Sequence, residues 1–167
     1  MWCVVHVKDG GEEHTEDFVA GLLPESLYAR CFHLIRSRRK KYQGQWTLIT
    51  SRLFPGYVFV ETERIDDFCM RLKRIDAMAK LLCTGEDMTL IHLEEESYLR
   101  LLGGEEHIVE YSEGYLEGKE LIVTSGAMKN YKGIIKKALR HKRLVVLEVP
   151  LMGRIVEVTV GLGIVKR

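Results

Sequence analysis

Cysteine is sparse in this 167-residue chain. The four present, Cys3, Cys31, Cys69 and Cys83, form no CxxC pair and no cysteine–histidine cluster of zinc-finger spacing. They are expected to be buried, reduced thiols. The six histidines are equally scattered and none falls in an HExxH-type pattern, so no metal site and no cofactor is expected. Proline is nearly absent, with 3 residues against 15 glycines. Taken with 46% apolar and 29% charged residues, this excludes collagen-like, mucin-like and disordered chains. No apolar run approaches the ~20 residues of a membrane span. The start, Met1-Trp2-Cys3-Val4-Val5-His6, lacks the basic flank and long apolar stretch of a signal peptide. A cytoplasmic protein with no membrane partner is expected. Phosphate-loop, nucleophile-elbow and dinucleotide fingerprints are missing too, and Gly103-Gly104 and Gly161-Leu162-Gly163 lack the strand–turn–helix setting of such sites. No catalytic residue is assigned, and a non-enzyme is expected.

What is present is charge, unevenly placed. The formal net charge is only +1, but residues 1–92 are neutral, residues 93–113 carry −6 and residues 114–167 carry +7. A basic C-terminal third points to nucleic acid more than to a small-molecule substrate.

Residues 2–7 read as a short apolar strand. Asp9 and Glu12 have capping-box spacing before a helix whose apolar side is Thr15, Phe18, Val19, Leu22 and Leu23, closed by Pro24. Residues 28–41 and 46–53 read as a long hairpin turning at Gln43-Gly44-Gln45. After the turn at 51–56, residues 57–61 form a strand with Tyr57 and Phe59 on one side and Val58 and Val60 on the other. Residues 66–75 and 93–102 read as helices, and residues 79–83 as a short strand before a turn at Thr84-Gly85. The polar stretch to Gly118 is the linker, to which Ile108, Val109 and Tyr111 add a possible strand. Beyond it come only short strands, at 121–124, 133–137, 144–149 and 155–160, punctuated by glycines, which fits a small β-barrel.

Two segments then stand out: Leu53-Phe54-Pro55-Gly56-Tyr57-Val58-Phe59-Val60, and the run from Val123 to Ile135 containing Ser125-Gly126-Ala127-Met128-Lys129-Asn130-Tyr131-Lys132-Gly133. They resemble the two signatures of the NusG family of transcription elongation factors, the FPGYV-type strand and the KOW motif. The resemblance implies an α+β fold over residues 1–102, a four-stranded antiparallel sheet flanked by helices. A linker over 103–117 and a KOW domain over 118–167, an SH3-like β-barrel, would follow. It also implies RNA polymerase as partner, through the clamp helices of the large subunit, with nascent RNA and upstream or non-template DNA nearby, and a monomer. Gly126-Ala127-Met128 and Leu151-Met152-Gly153-Arg154 lack the phenylalanines that general members carry at the barrel's partner-binding edge. With its added basic loop the chain looks most like the LoaP-type antiterminators, which act on selected operons and recognise a hairpin in nascent leader RNA. The alternatives are a general elongation or pausing factor without RNA specificity, and a ribosome-associated KOW protein.

The resemblance places Phe54 and Tyr57 at the polymerase contact. They straddle Pro55-Gly56, a turn that could present an aromatic edge outward, and the competing reading makes both rings core. Arg36, Arg38, Arg39, Lys40, Lys41 and Arg52 would form a flexible positive hairpin tip for nucleic-acid phosphates, or else a solvated hairpin. Lys129, Tyr131, Lys132, Lys136, Lys137, Arg140, His141, Lys142 and Arg143 would form a basic edge that grips folded RNA, or a solubilising loop.

Overall fold

The computed structural model describes residues 1–75, 83–131 and 133–165. The chain forms two compact units, Met1–His33 with Phe54–Glu96, and Leu34–Leu53 with Ser97–Arg167.

The first unit is built on a four-stranded antiparallel sheet in the order β2-β5-β1-β6. Its strands are β1 (Trp2–Val7), β2 (Arg30–Phe32), β5 (Tyr57–Glu61) and β6 (Cys83–Leu90). Strand β1 is apolar except for the half-buried His6, because both its faces are covered. Cys3, Val5 and Val7 join Val58 and Val60 in an aliphatic core with Val19 and Leu23 of the α1 end, Leu27, and Phe68 and Leu72 of α2. Here α1 is Glu12–Leu22 and α2 is Ile65–Arg74. The opposite face is aromatic: Trp2 packs edge-on against Phe32 and Phe59, at 4.9 and 5.9 Å between ring centroids. The expected sidedness of β5 holds, with Val58 and Val60 among the aliphatic side chains and Phe59 among the rings.

Two local expectations are corrected. Gly11, with no side-chain cap bond, is the N-cap of α1, so the Asp9–Glu12 box does not form. Leu22, expected on the buried side, is 54% exposed. The residues 79–82 expected in a short strand lie outside the described residues. Thr84 and Gly85, expected as a turn, belong to β6.

Burial pushes the Cys3 and Cys31 thiols from an ordinary 9.0 up to about 12. A raised value means the fold holds the neutral thiol. Its stabilising contribution is therefore whole below pH 9 and is lost as pH rises from 9 towards 12. Denaturant titrations at pH 8 and pH 10 are expected to show a fall in unfolding free energy that is smaller in Cys3→Ala/Cys31→Ala. Equal falls would show that the thiols are not the cause.

In the second unit β3 (Ile35–Tyr42) and β4 (Gln45–Arg52) make the long hairpin, with Gln43 and Gly44 both at positive φ in its two-residue turn. The single strand expected over 28–41 breaks at His33-Leu34, because β2 pairs with β5 whereas β3 pairs with β4 and, in parallel, with β7 (Ile108–Val109). Helix α3 is Leu93–Gly103. A five-stranded sheet follows in the order β10-β11-β12-β8-β9, built from β8 (Ser112–Glu117), β9 (Glu120–Ser125), β10 (Ile134–Leu139), β11 (Leu144–Leu151) and β12 (Arg154–Val165). Strand β11 alternates with Val145, Leu147, Val149 and Leu151 inward. Where a closed barrel was expected, the strand pairing is that of a sheet edged by β10 and β9. Residues 112–117, inside the expected linker, are an integral strand of it. No helix among the described residues is long and apolar enough to cross a membrane.

Candidate functional site

The segment Phe54-Pro55-Gly56-Tyr57 is a tight turn. The Tyr57 amide donates to the Phe54 carbonyl at 3.2 Å, and Gly56 takes φ +82, as a type II turn with Pro at its second position requires. Two bonds fasten the turn from outside: the Val7 amide donates to the Gly56 carbonyl at 2.9 Å, and the Gly56 amide donates to Glu12 Oε1 at 2.7 Å. Glu12 is wholly buried. The residue expected to cap α1 thus anchors the turn from the start of that helix.

The expected outward presentation of Phe54 is corrected. Its side chain is interior at 4% exposure, with its ring 6.1 Å from Phe59 and 6.2 Å from Tyr57. The physical reason is the aromatic face of the sheet, which offers the ring a ready apolar surface. Tyr57 is half-buried, its ring 4.9 Å from His6, and keeps the accessible part of this pair.

The hairpin bases divide by strand alternation. Opposite residues in an antiparallel pair share a face, so Arg36, Arg38 and Lys40 line one side with Ser51, Ile49 and Thr47. Arg39 and Lys41 line the other with Leu48 and Trp46. Arg36 is not part of a flexible tip. Its Nε donates to Ser51 Oγ at 3.1 Å and its Nη1 donates to the carbonyl and hydroxyl oxygens of Thr159. Burial, with the Arg38 charge beside it, lowers the Arg36 guanidinium below its ordinary value. Arg38 is half-buried and its Nε has no acceptor; Arg52 is half-buried. Arg39 sits 3.6 Å from Glu113 and 4.9 Å from the centroid of the Tyr111 ring. Lys40 and Lys41 alone of the six are exposed.

The second basic cluster is likewise sorted. Lys129 and Lys137 are exposed, and Lys132 lies outside the described residues. Lys136 is not available as a free cation. It pairs with Glu157 and, at 3.8 Å, with Glu148, and the Glu157 hydrogen bond is the chief reason its ammonium titrates above the ordinary value. Tyr131 is half-buried rather than an open stacking platform. It packs edge-on 5.8 Å from Tyr98, and burial pushes both hydroxyls up. Arg140, His141 and Lys142 form an exposed 3-10 turn at the end of β10. Arg143 follows at φ +53 and lays its guanidinium over the Trp46 ring, 4.3 Å from the centroid. Of the two methionines at the positions where the resemblance implies phenylalanine, Met128 is buried and Met152 is half-buried.

Sequence reasoning missed Glu12 as an anchor and Trp46 as a partner of Arg143. Glu12 had no signal apart from its helix-start position. For Trp46 the signal was an aromatic residue in a hairpin next to a run of five bases at residues 36–41.

A four-stranded antiparallel sheet with helices packed on its aliphatic face, an FPGY turn at the start of its β5 strand and a following β-rich half define the class as a two-part α+β protein. The family model described as transcription termination factor nusG matches residues 1–102, and the chain belongs to the NusG family of transcription factors. No curated protein matches the chain.

Proposed function

We propose that this protein is a transcription elongation factor that binds RNA polymerase through residues 1–102 and promotes processive antitermination at selected operons. Recruitment would come from a hairpin in nascent RNA, held by the basic C-terminal half. The family match over residues 1–102 supports the polymerase-binding role. The sheet beyond it, with the KOW-like run 123–135, is read as a KOW-type module in the LoaP manner. The single observation that carries the RNA reading is the exposed basic turn Arg140–Lys142. The protein acts in the cytoplasm as a monomer, by binding and without catalysis. Joining two contacts in one chain makes the second effectively intramolecular, so modest RNA affinity suffices to load the factor on chosen transcripts.

Tyr57 carries the accessible part of the polymerase contact. Tyr57→Ala is expected to weaken polymerase binding at least tenfold, about 1.4 kcal/mol, with an unchanged thermal midpoint. Unchanged binding would remove that assignment.

The deciding experiment is terminator readthrough by purified polymerase on templates with an intact or a scrambled leader hairpin. The expected result is readthrough dependent on both the protein and the intact hairpin. Equal readthrough on both templates would favour the general elongation factor, and no effect on either would overturn the proposal.

A further inference from the structure

We propose that the hairpin tip and the basic turn at residues 140–143 are not two sites but one nucleic-acid-binding surface, joined at the Trp46–Arg143 stack, along which a single phosphate backbone runs. This rests on the reading that the protein binds nucleic acid and goes beyond it, since the sequence alone assigns the two clusters to separate ligands.

The two clusters are about a hundred positions apart, yet strand β12 holds both. On one side it carries the hairpin. Arg36 donates to Thr159, and Gly161 lets the hairpin backbone close in, since a Cβ there would stand 2.7 Å from the Ser37 carbonyl oxygen and 3.0 Å from Arg38 Cα. Ser37 Oγ in turn accepts the Tyr111 amide at 2.7 Å. On the other side β12 carries the basic turn, through the Leu162 amide donating to the Arg143 carbonyl at 3.0 Å. Gly161, which has no place in a cofactor fingerprint, thus has a structural task.

The guanidinium of Arg143 closes the gap by lying on Trp46, and Trp46 is the direct cross-strand partner of Lys41. Arg143 adopts a left-handed backbone unusual for its type at this point. Lys41 and Arg143 are therefore both neighbours of the same indole, and a polyanion meets them as one field.

Compensation is selective. Glu113 neutralises Arg39, and Glu148 and Glu157 neutralise Lys136. Among the described residues Lys40, Lys41, Arg140, Lys142 and Arg143 have no ion pair. Four of these, Lys41, Arg140, Lys142 and Arg143, are drawn together from two parts of the chain and repel one another, and a bound phosphate backbone is the ligand that relieves it.

The test uses the full chain and a short fluorescent single-stranded RNA, with the DNA of the same sequence as a second arm, titrated at several salt concentrations. One oligonucleotide per chain is expected. Lys41→Gln and Arg140→Gln/Lys142→Gln should lower the salt slope of the same complex by about 0.7 and about 1.4, one and two phosphate contacts at ~0.7 each. Arg143→Gly keeps the left-handed backbone while removing the stack, and should weaken binding at least fivefold with an unchanged thermal midpoint. Tighter RNA than DNA binding assigns the surface to the transcript, and the reverse to a displaced DNA strand; either supports one surface. Two oligonucleotides per chain, a slope untouched by either variant, or no binding by the wild type overturns it. The readthrough experiment is read separately: hairpin-dependent readthrough with two independent oligonucleotide sites would sink this surface alone.

Discussion

Replacing Gly126 by alanine is expected to unfold the second unit. Gly126 opens the KOW-like turn at φ +83 and ψ −172, a region essentially closed to residues with a side chain. A Cβ there would also fall 2.3 Å from the Tyr111 carbonyl oxygen and 2.5 Å from Ser112 Cα. Both are backbone atoms, held by β8 and by the Met128 amide donating to Ser112 Oγ at 2.9 Å, so neither can step aside. Strain of about 1–3 kcal/mol adds to an overlap that only rearranging the sheet removes. The sum should exceed about 4 kcal/mol, a large share of a typical domain's stability. Gly10→Ala is the control. It has a similar φ of +90 but nothing within 4 Å of the added methyl, so it meets strain without collision. Thermal melts should show a much larger drop for Gly126→Ala than for Gly10→Ala. Equal shifts would mean that the collision is relieved by movement and that the turn is not the rigid corner described here.

Glu12→Ala should give the largest polar effect. It strips the Gly56 amide of its carboxylate acceptor at 2.7 Å and leaves a hole at a fully buried position. Losing that bond and stranding its buried donor costs about 2–3 kcal/mol, the upper part of the range for an unsatisfied buried group. Glu12→Gln keeps an acceptor of the same shape and should cost about 1 kcal/mol. Because the bond fastens the turn between Phe54 and Tyr57, polymerase affinity should fall in Glu12→Ala and recover largely in Glu12→Gln, below the melting range of both. A variant equal in stability to the wild type would show that the carboxylate does not hold the turn, and unchanged affinity would show that the turn does not present Tyr57.

The elements that were legible are those whose local pattern and tertiary partners agree. Strand β5 alternates because one face meets aliphatic side chains and the other meets rings, and β11 alternates because one face is buried and the other only half-buried. Helix α2 shows its buried Phe68 and Leu72 at a four-residue step. The hairpin turn was readable from Gly44. What misled was dual use. Glu12 has the spacing of a cap and the burial of a core anchor, and Arg39 and Lys136 count as binding cations in a sequence but are spent on acids brought from other strands. Phe54 stands in a turn, where an exposed aromatic is plausible, and the neighbouring aromatic face takes it in.

The residues by themselves determined the family, the α+β then all-β order and the two basic runs, because motifs, periodicity and charge are local properties of the chain. Tertiary structure alone decided that β2 and β3 part company, that Phe54 turns inward, and which cations remain uncompensated. It also brought residue 46 against residue 143. Each of those outcomes depends on which distant strand supplies a hydrogen-bonding edge, a ring or a carboxylate, and no local pattern carries that information.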